Sequence, residues 1–145
     1  MTANELMAGD WVRSKKWAEK PFKLTCLNAN WRYYYGITSN EVLVGPFLIE
    51  ELEPIPLTPE ILEKNGFVCT QKADEMETAY ECWSFHDGLL SIVFEPDVVM
   101  LEVHNGGENG DAVRTMTYYT DNDIMYLHEL QHALILCKIE KKIEL

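Results

Sequence analysis

Short alternating stretches dominate the first third of the chain. Trp11-Val12-Arg13 follows the turn pair Gly9-Asp10, and Phe22, Leu24 and Cys26 alternate with Lys23 and Thr25. Alternation of period two is the signature of a strand with one buried face. Residues 31–37 are rich in aromatic and β-prone types, Ser39-Asn40 reads as a turn, and Glu41 to Val44 resumes strand character. Gly45-Pro46 reads as a break before Phe47-Leu48-Ile49. Several short strands with tight turns in so little chain predict a small SH3-like β-rich unit over residues 1–55.

Pro54-Ile55-Pro56-Leu57 reads as a stiff connector, because proline fixes φ and bars regular helix or central strand. Thr58 is a good N-cap and Pro59 suits the first helical position. Asn65-Gly66 ends the short helix that results. Residues 71–78 are polar and read as a loop. Beyond them the apolar positions alternate again, with Trp83 and Phe85 on one face, then Leu90, Ile92 and Phe94, then Val99, Leu101 and Val103. Further turns fall at His86-Asp87-Gly88, at Glu95-Pro96-Asp97 and over Asn105 to Asp111, and a further strand at Val113 to Tyr119.

Thr120 and Asp123 stand at capping-box spacing and predict a last helix over 121–138. Leu127, Leu130, Leu134 and Cys137 form one stripe at helical spacing. The expected fold is therefore α+β. Residues 1–55 form one unit; residues 56–145 form a second, an antiparallel sheet whose apolar face the last helix covers. On this reading Leu127, Leu130 and Leu134 pack against Trp83, Leu101 or Val103. His128 and His132 lie on another helix face, partly exposed and tolerant of replacement.

An apolar fraction of 47% and a charged fraction of 25% in 145 residues describe an ordinary globular protein. The net charge of −12 is unevenly spread: residues 1–55 hold six Lys/Arg against seven acids, and the remainder six against seventeen. An acidic surface repels nucleic acid and anionic membranes. No apolar run approaches the ~20 residues of a membrane span. The N-terminus shows no signal-peptide pattern, so the expected location is cytoplasmic. Cys26, Cys69, Cys82 and Cys137 show no CxxC spacing and read as reduced structural thiols.

One motif carries candidate chemistry. His128-Glu129-Leu130-Gln131-His132 matches HExxH. On a helix this pattern sets two imidazoles on one face for Zn²⁺ and places the glutamate as general base. His128 and His132 are thus candidate zinc ligands and Glu129 a candidate catalytic base. The extended continuation fails, since Ile135 and Lys138 stand where a glycine and a third histidine belong. His86 and His104 are the upstream candidates for a third ligand, and strand parity points both away from the apolar face. A catalytic zinc needs three protein ligands, so the expectation is no metal and no catalytic residue.

Asn4-Glu5-Leu6 with Gly9-Asp10-Trp11-Val12, then Glu51 to Phe67, then Tyr126 to Gln131 recur in a fixed order. This pattern resembles a family of short uncharacterised proteins of gut Bacteroidetes, often associated with phage or mobile elements. Its most specific segment is Pro54-Ile55-Pro56-Leu57-Thr58-Pro59-Glu60-Ile61-Leu62-Glu63-Lys64-Asn65-Gly66-Phe67. The resemblance implies a last helix entered by a His-x-Leu-Gln segment, with no second histidine required four residues on. It implies no catalytic residue.

Residues 11–35 interleave bases and aromatics. Trp11, Arg13, Lys15, Lys16, Trp17, Lys20, Lys23, Trp31 and Arg32 are the mixture with which small barrels hold single-stranded nucleic acid. The net charge opposes that partner, and a barrel core with a solvated rim explains the same residues. Acidic loops at 74–77 and 108–111 match no EF-hand and read as solvated. Residues 133–137 are apolar nearly all round the helix, which makes a second copy of the chain a candidate cover. Together these features predict a non-enzymatic interaction or accessory protein with an unknown protein partner. The competing readings are a zinc hydrolase and a single-strand binder.

Overall fold

The computed structural model describes residues 5–28, 33–72, 80–85, 90–95, 98–106, 112–120, 125–136 and 138–145. Among them the chain is mostly β, with two five-stranded antiparallel sheets, a short helix and a C-terminal helix, an α+β fold.

The first sheet holds β1 (Trp11–Ser14), β2 (Trp17–Asn28), β3 (Tyr33–Thr38), β4 (Leu43–Leu48) and β5 (Leu52–Pro54), in the order β4-β3-β2-β1-β5. A 3-10 turn at Ile49–Glu51 precedes β5. Leu6, Val12, Phe22, Leu24, Tyr34, Phe47 and Leu52 form its core. Phe22 stacks on Phe47 with ring centroids 4.9 Å apart. Gly36 makes room for this pair: a Cβ there would lie 2.1 Å from Phe22 Cδ2.

Gly45-Pro46 does not break the chain as expected but lies inside β4. β4 stands at one end of the sheet order, where a proline need not donate to a neighbour. Gly45 has φ +119, and a Cβ would meet the Tyr34 carbonyl at 2.8 Å. Any other residue is strained there.

The second sheet is a plain meander. Its order β10-β9-β8-β7-β6 joins β6 (Val68–Gln71), β7 (Glu81–Phe85), β8 (Leu90–Glu95), β9 (Val98–Gly106) and β10 (Ala112–Thr120). Trp83, Ile92 and Leu101 align across three strands, and all three are buried. β6 carries little alternation in sequence and was not anticipated. The expected turn at 86–88 and both acidic loops lie outside the described residues, as do residues 96–97 and 107–111 of the turns expected at 95–97 and 105–111.

The helix α1 (Pro59–Lys64) forms where Thr58 and Pro59 predict it, and Gly66 follows at φ +79. Thr58 takes the extended N-cap conformation. Its hydroxyl bonds the Glu60 carboxyl, and that bond leads the effects holding Glu60 below the usual carboxylate range. Asn65 closes the helix.

The helix α2 (Leu127–Leu136) starts later than predicted. Thr120 is the last residue of β10 rather than a cap, and Asp123 lies outside the described residues. Residues 125–127 are committed to extended pairing. Leu57 N–H donates to Met125 O at 2.8 Å, Leu127 N–H donates to Ile55 O at 2.8 Å, and Pro56 bridges Tyr126. These bonds keep residues 125 and 126 outside the helix and use the Leu127 N–H, which the first turn of α2 leaves free.

The chain divides into two compact units, Met1–Pro56 with Tyr126–Glu140, and Leu57–Met125 with Lys141–Leu145. This corrects the placement of the last helix. It belongs with the N-terminal sheet, not with the sheet of residues 80–103. Its polar side chains bond the turn that enters β1, as described next.

Candidate functional site

The turn at residues 7–11 is built by Gly9 and Asp10. Gly9 takes φ +100, which glycine tolerates. Asp10 Oδ2 accepts the Met7 N–H at 2.7 Å and Asp10 N–H donates to Met7 O at 3.2 Å, so the carboxylate ties its own turn. Gly9 N–H donates to Leu24 O at 2.7 Å and Leu24 N–H to Asp10 O at 2.9 Å, fixing the turn on β2.

The other side of this turn is held by α2. Gln131 Oε1 accepts the Trp11 N–H at 3.0 Å while its Nε2 donates to Gly9 O at 3.0 Å. His132 Nε2 lies 3.0 Å from both Asp10 oxygens. Asp10 is only 2% exposed, so this carboxylate is answered inside the protein. One glutamine and one histidine clasp three consecutive residues of the lead-in to β1.

Glu129 has a different task. Its Oε2 accepts the Tyr126 N–H at 2.7 Å, which satisfies a donor at the helix start. This is the glutamate half of a capping box. The residue that resembles a general base is thus bonded to its own backbone, three positions back.

His128 departs from expectation. It was placed on a partly exposed face, yet it is 4% exposed. Its ring lies 6.0 Å from that of Tyr126, nearly parallel, and 5.8 Å edge-on from that of His132. Among the described residues its Nδ1 is a buried side-chain atom without a hydrogen-bond partner. Burial holds the imidazole below the usual histidine range, although the carboxylates of Glu129 and Asp10 pull upward. Leu127, Leu130, Ala133 and Leu134 are buried, so the apolar stripe is used as the periodicity indicates.

Among the described residues no three His, Cys, Asp or Glu side chains group as a metal ion requires. His86 lies outside the described residues. His104 belongs to β9, where its backbone pairs with Arg114. Cys69 and Cys82 are free and half-buried.

The basic and aromatic residues of 11–35 are partly spent. Trp11 is buried, with Lys23 Nζ 4.9 Å above its ring. Lys16 pairs with Glu51, and their bond leads the effects that hold that carboxyl below its usual range. Lys15 Nζ donates to Glu50 O at 3.0 Å, and Arg13 stands opposite Glu53 in the β1–β5 register. Trp17 is 40% exposed and Lys20 is exposed. Trp31 and Arg32 lie outside the described residues. Arg13, Lys15 and Lys16 thus stand beside β5 and the 3-10 turn, whereas Lys23 covers Trp11 and Lys20 is exposed.

Sequence reasoning missed Asp10, the partner of His132, and Gln131, the partner of the Gly9 and Trp11 backbone. The signal was present: both lie in landmarks of the resemblance, one at each end of the chain. A second stitch was missed in the other unit. Asn65, 1% exposed, donates from Nδ2 to Ile61 O at 2.8 Å and to Glu144 O at 2.9 Å, and its Oδ1 accepts Glu144 N–H at 2.9 Å.

Compared with family models, with curated proteins and with solved structures, the chain matches none. No helix among the described residues is long and apolar enough to cross a membrane.

Proposed function

We propose that this chain is a non-enzymatic interaction or accessory protein, built on an SH3-like first unit and a meander-sheet second unit. One observation carries the reading: three of the four polar side chains of the HExxH segment serve the fold. Glu129 caps the helix, Gln131 binds the Gly9–Trp11 backbone, and His132 binds Asp10. A hydrolase needs the glutamate free to take a proton from water and the imidazoles free to face metal.

The strand order β4-β3-β2-β1-β5, with a 3-10 turn before β5, supports the SH3-like reading of the first unit. Exposed apolar residues on that unit, among them Trp17 and Leu43, suit contact with a protein partner. A role in mobile-element biology rests on the resemblance alone. The pairing of Lys15 and Lys16 with the 3-10 turn disfavours single-stranded nucleic acid as the partner.

Metal analysis of the purified chain tests the reading. The expected result is metal well below one equivalent and a melting curve unchanged by EDTA. Stoichiometric zinc that disappears in His132→Ala would replace the proposal with a zinc hydrolase.

A further inference from the structure

Two histidines one helical turn apart have opposite surroundings. His132 Nε2 lies 3.0 Å from both oxygens of the Asp10 carboxylate. His128 is buried, stacked on Tyr126, with Nδ1 facing no acceptor. The ionisable groups around His128 are Glu129 and His132 from α2, and Asp10 and Glu5 from the lead-in to β1. A proton on His128 therefore creates a buried N–H without a partner, and a cation beside His132.

We propose that His128 is an acid-operated catch: its protonation releases α2 from the turn at residues 7–11 while the first sheet stays formed. The ligand is the proton. The parts that come apart are Gln131 on Gly9 and Trp11, and His132 on Asp10.

The sign follows from the neutral form being the one the closed structure accommodates. The folded-state imidazole sits below the ordinary value near 6.5. The closed form is therefore fully favoured above that value. It loses ground as the pH falls from there through the folded-state value. The carboxylates of Glu129, Asp10 and Glu5 offset part of this, but burial outweighs them. Opening hydrates Nδ1 and lets the imidazolium bond water.

The test is amide exchange followed by NMR on the full chain at about pH 7.5 and about pH 5, on either side of the ordinary histidine range. Rates are corrected for intrinsic pH dependence. The Trp11 amide, held by Gln131, should lose protection severalfold at the lower pH, while amides of the β2–β3 ladder keep theirs. His128→Phe preserves an aromatic ring against Tyr126 and should abolish the pH response; His132→Gln should retain it. Unchanged wild-type protection at Trp11, or a full response in His128→Phe, overturns the proposal. Direct titration of His128 in the wild-type chain guards against a variant that fails to fold. A midpoint at or above the ordinary value overturns the proposal equally.

Discussion

The two units solve one problem in opposite ways. In each, a distant piece of chain must be joined to a sheet-bearing body through polar bonds. In the first unit the distant piece is a helix, and its side chains reach out to grip backbone at Gly9 and Trp11. In the second the distant piece is the C-terminal segment at Glu144, and a single buried side chain, Asn65, grips its backbone. The helix also brings buried leucines, so its clasp is a directing device laid over a large apolar contribution. The C-terminal segment brings Ile143 and little else that is buried. There the asparagine carries a larger share of the hold. A hydrogen bond adds only about 0.5–1.5 kcal/mol net, whereas a buried donor or acceptor left alone costs about 1–3 kcal/mol.

The largest effect should come from Leu130, fully buried on α2. Leu130→Ala is expected to cost about 2–5 kcal/mol, measured as a lower urea midpoint. Loss below 1 kcal/mol would mean the helix is held by its polar clasp after all. Next comes Asn65→Ala, expected to cost about 1–3 kcal/mol because it strands the Glu144 backbone N–H and C=O. Exchange at the Glu144 amide should quicken before the rest of the second sheet loosens; simultaneous loss would show that Asn65 supports the whole unit.

Gln131→Ala removes two bonds, of which the one to Gly9 O is exposed to water and the one from Trp11 N–H is part-buried. About 0.5–1.5 kcal/mol is expected, with exchange raised at Trp11 and little change at Glu144. Equal effects at both amides would erase the distinction between the two devices. The smallest effect is a gain. The end of α2 is a Schellman turn, in which Ile139 N–H reaches Leu134 O at 2.9 Å and Lys138 N–H reaches Ile135 O at 3.0 Å. Lys138 occupies the left-handed position at φ 56, where glycine is at ease. Lys138→Gly should raise stability by about 0.5–1 kcal/mol, read as a higher melting temperature.

Local signals were legible. The Thr58-Pro59 start of α1, the strand alternation of residues 80–101 and the leucine stripe of α2 all depend on neighbours in sequence. What escaped depends on contacts across long separations. Asp10 and His132 are 122 positions apart, and Gln131 and Trp11 are 120 apart. No periodicity encodes such pairs. The start of α2 was misread because a capping box at Thr120 obeys local rules, while the actual start is set by pairing of Met125 to Leu127 with Ile55 to Leu57. The burial of His128 was misread because a helical wheel counts only the apolar stripe and gives no weight to an aromatic neighbour such as Tyr126.

The division of the chain bears on synthesis. Residues 57–125 are inserted between the two parts of the first unit, and Lys141–Leu145 return to the second. A protein made from its N-terminus commonly folds its leading domain while the next is still being translated. Here each unit is built from two separate segments, so neither can be completed as a leading domain. The sheet of residues 11–54 emerges early but must wait for Leu127 to Leu134, and the intervening sheet must wait for Ile143 and Glu144. Both units become complete within the same short stretch of translation, so nearly the whole chain must leave the ribosome before either is finished.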